Sequence, residues 1–327
     1  MHPAFSVLFL TTLIGAGQGL FLALFSVEAY AEFGLVPAPG SDFFAIGSLL
    51  SLVLLGLGLF ASFFHLGRPE RAWRTATKWR TSWLSREVIV LPAFMGMVFL
   101  YGLAHWLQFN PPLGVLPGEN FVLLTVLLGI LGTLLAFALF VSTAMIYAAV
   151  KFLQEWHSPL TVVNYTLLGA ASGFTLATAL AAWAETGLVP FLAGWAIILT
   201  LLGLASRISS LIRNARIQPK STLQTAIGIK HPLIQQKSQG FMGGSFNTRE
   251  FFHHRSPGFL RAMKWVFLIS AFAIPTVLLT LAMVMTVNPT NVLIAAFVIQ
   301  YLGLLAERWF FFAQANHPQN LYYQSVS

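Results

Sequence analysis

The sequence predicts an all-α integral membrane protein, a bundle of eight transmembrane helices with both termini on the cytoplasmic side. Three observations carry that expectation. Of 327 residues, 57% are hydrophobic and 9% are charged, with a mean hydropathy of +0.76. A soluble domain averages about 25% charged residues, so this chain is too poor in charge to make a solvated surface. Eight apolar stretches each reach the length a bilayer demands, about 20 residues at 1.5 Å per residue. Finally, all 18 Lys and Arg residues fall on one side once those stretches are laid out alternately.

The first stretch, 5–30, contains Gly15-Ala16-Gly17-Gln18-Gly19, small residues that permit close helix approach around one polar side chain. Met1 to Phe9 lacks the basic n-region and the A-x-A site of a cleaved signal peptide. The first stretch is therefore expected to stay as a span. The second, 43–64, ends at His65, and the third, 88–106, begins after Glu87. A loop of 23 residues separates them and holds six basic residues, Arg68 to Arg86. The remaining spans are expected at 121–150, 162–184, 191–212, 263–287 and 291–312, the last with Glu307-Arg308 near its end. All of 1–327 reads as a single anchor domain, in which 213–262 forms a long cytoplasmic partner-docking loop. That loop is polar, with aromatics and with glycines clustered in 239–245, a composition more ordered than a disordered linker.

Charge then gives an orientation. The basic side carries the six residues Arg68 to Arg86, Lys151, ten from Arg207 to Lys264, and Arg308. It also carries Glu70, Glu87, Glu155, Glu250 and Glu307, whereas Glu28, Glu32, Asp42, Glu119 and Glu185 lie opposite. The positive-inside rule places the basic side in the cytoplasm, and a basic docking face could produce the same count. The multi-pass location expected is a bacterial inner membrane.

Cysteine is absent, which excludes disulfides, thiolate chemistry, Cys-ligated iron–sulfur clusters and c-type haem in this chain. The eight histidines avoid the middles of the spans, so a b-type haem between facing pairs is not expected. His253-His254 has no acidic or Cys companions, and no metal site is expected there or elsewhere. His65 and Glu87 are the best candidates for proton chemistry. A quinone site needs an apolar slot plus groups that bond the carbonyl oxygens and exchange protons, which His and a partly buried Glu can do. The alternative is an interfacial cap at His65 and a Glu87 that neutralises a neighbouring Arg. Gln18 could bond a ligand or a neighbouring helix, and Glu307-Arg308 could be a functional site or a structural pair.

The run His65-Leu66-Gly67-Arg68-Pro69-x-Arg71-Ala72, followed by Ser85-x-Glu87, resembles the membrane anchor subunit of the dimethyl sulfoxide reductase family, among the polysulfide-reductase-type quinone-interacting anchors. The resemblance covers essentially the whole chain. It implies a haem-free anchor for a molybdopterin catalytic subunit and an iron–sulfur subunit, binding ubiquinone or menaquinone. It maps quinone binding and proton transfer onto His65 and Glu87, and Arg71 and Gln18 also fall where the family's pattern has polar residues; Ser85, Arg86, Glu307 and Arg308 are secondary candidates for the same site. Arg68, Arg74, Phe241 and Arg249 are expected to dock an acidic iron–sulfur partner through charge complementarity. The cytoplasmic orientation and the long loop resemble the related sulfite-oxidising branch, a sulfite dehydrogenase that passes electrons to quinone. Alternatives are the anchor of a quinol-oxidising DMSO or other S- or N-oxide reductase and, from another class, a transporter.

Overall fold

The computed structural model describes residues 1–115, 121–184, 186–237 and 246–323. Eight helices in it are long and apolar enough to cross a membrane. They are span 1 (Phe5–Glu32), span 2 (Ser41–His65), span 3 (Trp83–Trp106), span 4 (Leu124–Ala148), span 5 (Pro159–Trp183), span 6 (Val189–Ala215), span 7 (Pro257–Val284) and span 8 (Thr290–Ala313). The Met1 amino group donates to the carbonyls of Ala313 (3.2 Å) and Ala315 (2.9 Å), so the chain's start and the end of span 8 share the basic face.

Helix boundaries depart from the hydropathy reading where a polar cap starts the helix early. Span 3 begins at Trp83, because the Ser82 hydroxyl accepts from the Ser85 N–H at 3.3 Å. Spans 5 and 7 begin at Ser158-Pro159 and Ser256-Pro257, where the serine caps and the proline fits a first turn that has no N–H partner to lose. The long loop is correspondingly shorter than 213–262, and its described part includes two one-turn helices, Leu223–Ile227 and Phe246–Glu250. Between spans 2 and 3 the chain forms a 3₁₀ helix, Pro69–Lys78. The all-α expectation also needs one correction. Strands β1 (Pro112–Val115) and β2 (Phe121–Leu123) pair antiparallel on the opposite face, just before span 4.

Spans 1 and 5 are the inner pair. In each, 78% of the most apolar window is buried, against 28–44% in the other six. Glycine lets them meet. A Cβ on Gly19 would lie 2.2 Å from the Gly169 carbonyl oxygen, and one on Gly173 would lie 2.0 Å from the Gly19 carbonyl carbon. Both helices thus present small residues four apart, the spacing that brings backbones into contact in lipid. Other ties between spans are polar: Ser51 donates to the Gly17 carbonyl and Gln18 to the Ala136 carbonyl, each at 2.8 Å.

Span 7 contains a π-helical turn, Ile269–Ala273, ahead of Pro275. Proline has no N–H for the carbonyl four residues back, here Ala271. That carbonyl instead accepts from Gln300 of span 8 at 3.4 Å, and the same amide nitrogen reaches the Thr200 hydroxyl of span 6 at 3.2 Å. A carbonyl that has lost its α-helical donor thereby gains one from a neighbouring helix.

The glycine seam gives a direct test. Gly173→Ala forces backbone against backbone and is expected to cost at least about 1–3 kcal/mol. Gly96→Ala in span 3, where nothing lies within 4 Å of the added carbon, should leave the melting temperature in detergent unchanged or slightly raised.

Candidate functional site

His65 closes the helical segment of span 2 in the 3₁₀ turn Phe63–His65 on the basic face. It is exposed, and its ring makes no hydrogen bond or ion pair among the described residues. Its aromatic collar is one pair of rings on the same helical segment: Phe60 and Phe64 meet edge to face at 5.3 Å, and both are largely exposed on the outside of the bundle. This is an apolar surface with one free titratable ring beside it.

Glu87 is placed differently. It lies inside span 3, not at its opening, and is buried, with one carboxylate oxygen accepting from the Thr143 hydroxyl of span 4 at 2.5 Å. The Ser82 cap is the reason, since it moves the helix start five residues ahead of the position that hydropathy gives. No hydrogen bond or ion pair joins Glu87 to His65, although spans 2 and 3 pack together. The structure therefore places one candidate at the rim and the other in the interior.

The secondary candidates divide. Ser85 is buried one turn into span 3. Arg86 folds back, donating to the Trp79 and Arg80 carbonyls at 3.0 Å each and lying over the Trp83 ring at 4.1 Å, so it clasps the preceding loop. Arg71 is exposed with Glu70 3.7 Å away, a surface pair of small energetic weight. Gln18 is buried and donates across to span 4, which is the helix-tie alternative. Arg68, Arg74 and Arg249 are exposed on the basic face, and Phe241 lies outside the described residues.

Glu307 corrects the expectation most. Its closest partner is not Arg308 but Arg207 of span 6, which lies inside the sixth stretch expected at 191–212 and was read only as a charge of the basic side. The Arg207 Nε lies 2.7 Å from one Glu307 oxygen, close but not aligned as a hydrogen bond, and the Arg308 Nη1 lies 3.3 Å from the other. All three side chains are at least 95% buried. Arg308 also sits 3.7 Å from the centre of the Tyr165 ring, a close cation–π contact. The Tyr165 ring stacks on Tyr147 with centroids 5.7 Å apart, and both tyrosines lie within electrostatic reach of Glu87 and Arg308. Contacts thus run from the Tyr147 and Tyr165 rings through Arg308 to Glu307 and Arg207, across spans 4, 5, 8 and 6, with Glu87 of span 3 in the same neighbourhood. Two guanidinium groups face one carboxylate there.

Sequence reasoning missed Thr143, Tyr147, Tyr165 and Arg207. The signal for Arg207 was present: a lone Arg followed by Ile-Ser-Ser in an apolar stretch continues span 6 rather than leaving it. On the opposite face, Glu28 and His105 form a second buried pair at 3.4 Å beneath a cavity of about 270 Å³. Among the described residues, no group of three or more His, Asp or Glu could hold a metal ion.

Comparison with known proteins matches residues 1–314 to the family model described as DMSO reductase anchor subunit (DmsC). A sulfite dehydrogenase subunit of Allochromatium vinosum is 59% identical over 327 residues, all of both chains.

The buried charge arithmetic is testable. Glu307→Gln strands two guanidinium groups and is expected to cost about 3–5 kcal/mol. Arg207→Met leaves Glu307 paired with Arg308 and should cost less. Folded yield and melting temperature in mild detergent report the order, and equal losses would refute the pairing.

Proposed function

The chain belongs to the DMSO reductase anchor subunit family, and on that premise we propose that it is the quinone-reactive anchor of a three-subunit molybdenum and iron–sulfur enzyme oxidising sulfite. The observation that carries the sulfite branch is the full-length 59% identity to a protein named as a subunit of a sulfite dehydrogenase. A family match alone fits either direction of electron flow; identity of this extent, over the whole of both chains, favours the oxidising branch over an S- or N-oxide reductase. The eight apolar helices and the family together make this a multi-pass membrane protein. The inner membrane of a bacterium, with the basic face in the cytoplasm, is part of the proposal.

In this reading a quinone, ubiquinone or menaquinone, lies against the aromatic collar beside His65 and takes up two electrons and two protons. The electrons come from the partner's iron–sulfur clusters. His65, exposed and without a hydrogen bond or ion pair among the described residues, can donate to a carbonyl oxygen of the ring. Glu87 can hold a proton behind it, with the Thr143 hydroxyl fixing the carboxylate. The exposed cations Arg68, Arg74 and Arg249 suit a docking face for an acidic subunit.

His65→Ala and Glu87→Gln should each lower sulfite-to-quinone turnover at least about a hundredfold, the scale of losing a positioned acid or base. Sulfite oxidation by the assembled complex with a soluble artificial acceptor should survive. Loss of both activities together would count against a quinone-site role. Orientation has its own test, since the chain carries no native cysteine. A single cysteine in the loop Pro69–Lys78 should resist a membrane-impermeant maleimide in intact cells, and one at Pro39 should react.

A further inference from the structure

A second feature of the basic face lies away from the His65 collar. Two cavities adjoin there and share one wall residue, Arg255. The first, about 620 Å³, is the more polar of the two: the Met1 amino group, His253, His254, Asn316 and Asn320 border it together with apolar side chains such as Phe251 and Phe252. The second, about 280 Å³, is an apolar slot between spans 1, 7 and 8, walled by Phe5, Phe9, Phe259, Met263, Leu305 and Trp309. Phe5 and Phe9 are exposed on the outside of the bundle, so the slot opens toward the lipid.

We propose that these two cavities form one binding site for an anionic phospholipid, its headgroup in the polar cavity against Arg255 and an acyl chain in the apolar slot. The argument is from shape and charge together. An amphiphile has a charged end and an apolar end, and the site offers both compartments side by side at the depth where a helix leaves the membrane. Arg255 stands two residues before the start of span 7 and is exposed, with its guanidinium 5.4 Å over the Phe259 ring. Its side chain has no hydrogen bond or ion pair among the described residues, and no carboxylate lines either cavity. The Phe259 ring in turn meets Trp309 edge to face at 5.4 Å, which fixes the floor beneath the cation.

The sign of the occupant rests on Arg255. Burial lowers the Met1 amino group to about 6, against a smaller opposing pull from Glu155, and burial also lowers His253. At neutral pH these groups are hydrogen-bond donors or acceptors more than charges, while the guanidinium keeps its charge. Basic pockets between spans recognise anionic headgroups in this way. A free inorganic anion would use the polar cavity alone and would have no need of the slot.

The test uses the full-length protein, delipidated in neutral detergent. Added phosphatidylglycerol should raise its melting temperature, while phosphatidylcholine and inorganic phosphate at the same concentration should not. Arg255→Gln should weaken the phosphatidylglycerol effect about fivefold, the scale of one basic group near a membrane surface. Arg255→Lys should largely retain it. Met263→Trp, which fills the slot without changing charge, should also weaken it, and Arg261→Gln, which lines neither cavity, should not. Equal stabilisation by phosphatidylcholine, or full stabilisation by inorganic phosphate, would overturn the proposal. So would an Arg255→Gln protein that binds phosphatidylglycerol normally but loses its hold on its partners in the complex, which would mark the face as a docking surface.

Discussion

The contact between spans 1 and 5 is the constraint from which the rest of the bundle follows. Lipid supplies no hydrophobic drive between helices, because its tails are as apolar as leucine. Association must come from close packing, and here Gly19 and Gly173 let two backbones touch with no side chain between them. Around that pair the other six helices take outer positions with most of their surface toward lipid. The close pairing also fixes the height of span 1 against span 5. That height brings Gln18 level with the Ala136 carbonyl of span 4 and leaves Tyr165 of span 5 level with Arg308 of span 8.

Besides the polar ties between spans, two kinds of polar group stand out inside the bundle. Some repair the backbone, as Gln300 does for the Ala271 carbonyl that Pro275 leaves without a partner. Others carry charge: Arg207, Glu307 and Arg308 are buried together and are linked through two stacked tyrosines to the neighbourhood of Glu87. A buried ion cluster of this kind adds little net stability when complete, since desolvation offsets most of its attraction. Two guanidinium groups hold one carboxylate there, and the stacked tyrosines lie between that cluster and the neighbourhood of Glu87.

Much of this was legible along the chain. The eight spans follow from apolar length alone, and His65 and Glu87 stand out as titratable groups where apolar stretches end. The helix starts were less legible, because Ser82, Ser158 and Ser256 are polar and lower a hydropathy average at the very positions where their hydroxyls cap a helix. The pairing of Arg207 was hidden for a different reason. A linear count sees one cation near the end of a stretch, and it cannot see the distant carboxylate, Glu307, that makes its burial tolerable.

What the sequence determined by itself was the number of spans, their alternation and the gathering of every Lys and Arg toward one face, since these depend on composition summed over lengths of about 20 residues. What only the tertiary structure decided was depth and partnership. It put Glu87 inside the bundle against Thr143, freed His65 at the rim, turned Gln18 into a tie between helices and joined Glu307 to Arg207. The physical reason is that burial and pairing depend on which helices adjoin and at what height. Those are set by a few glycine contacts between residues far apart along the chain, such as Gly19 and Gly173.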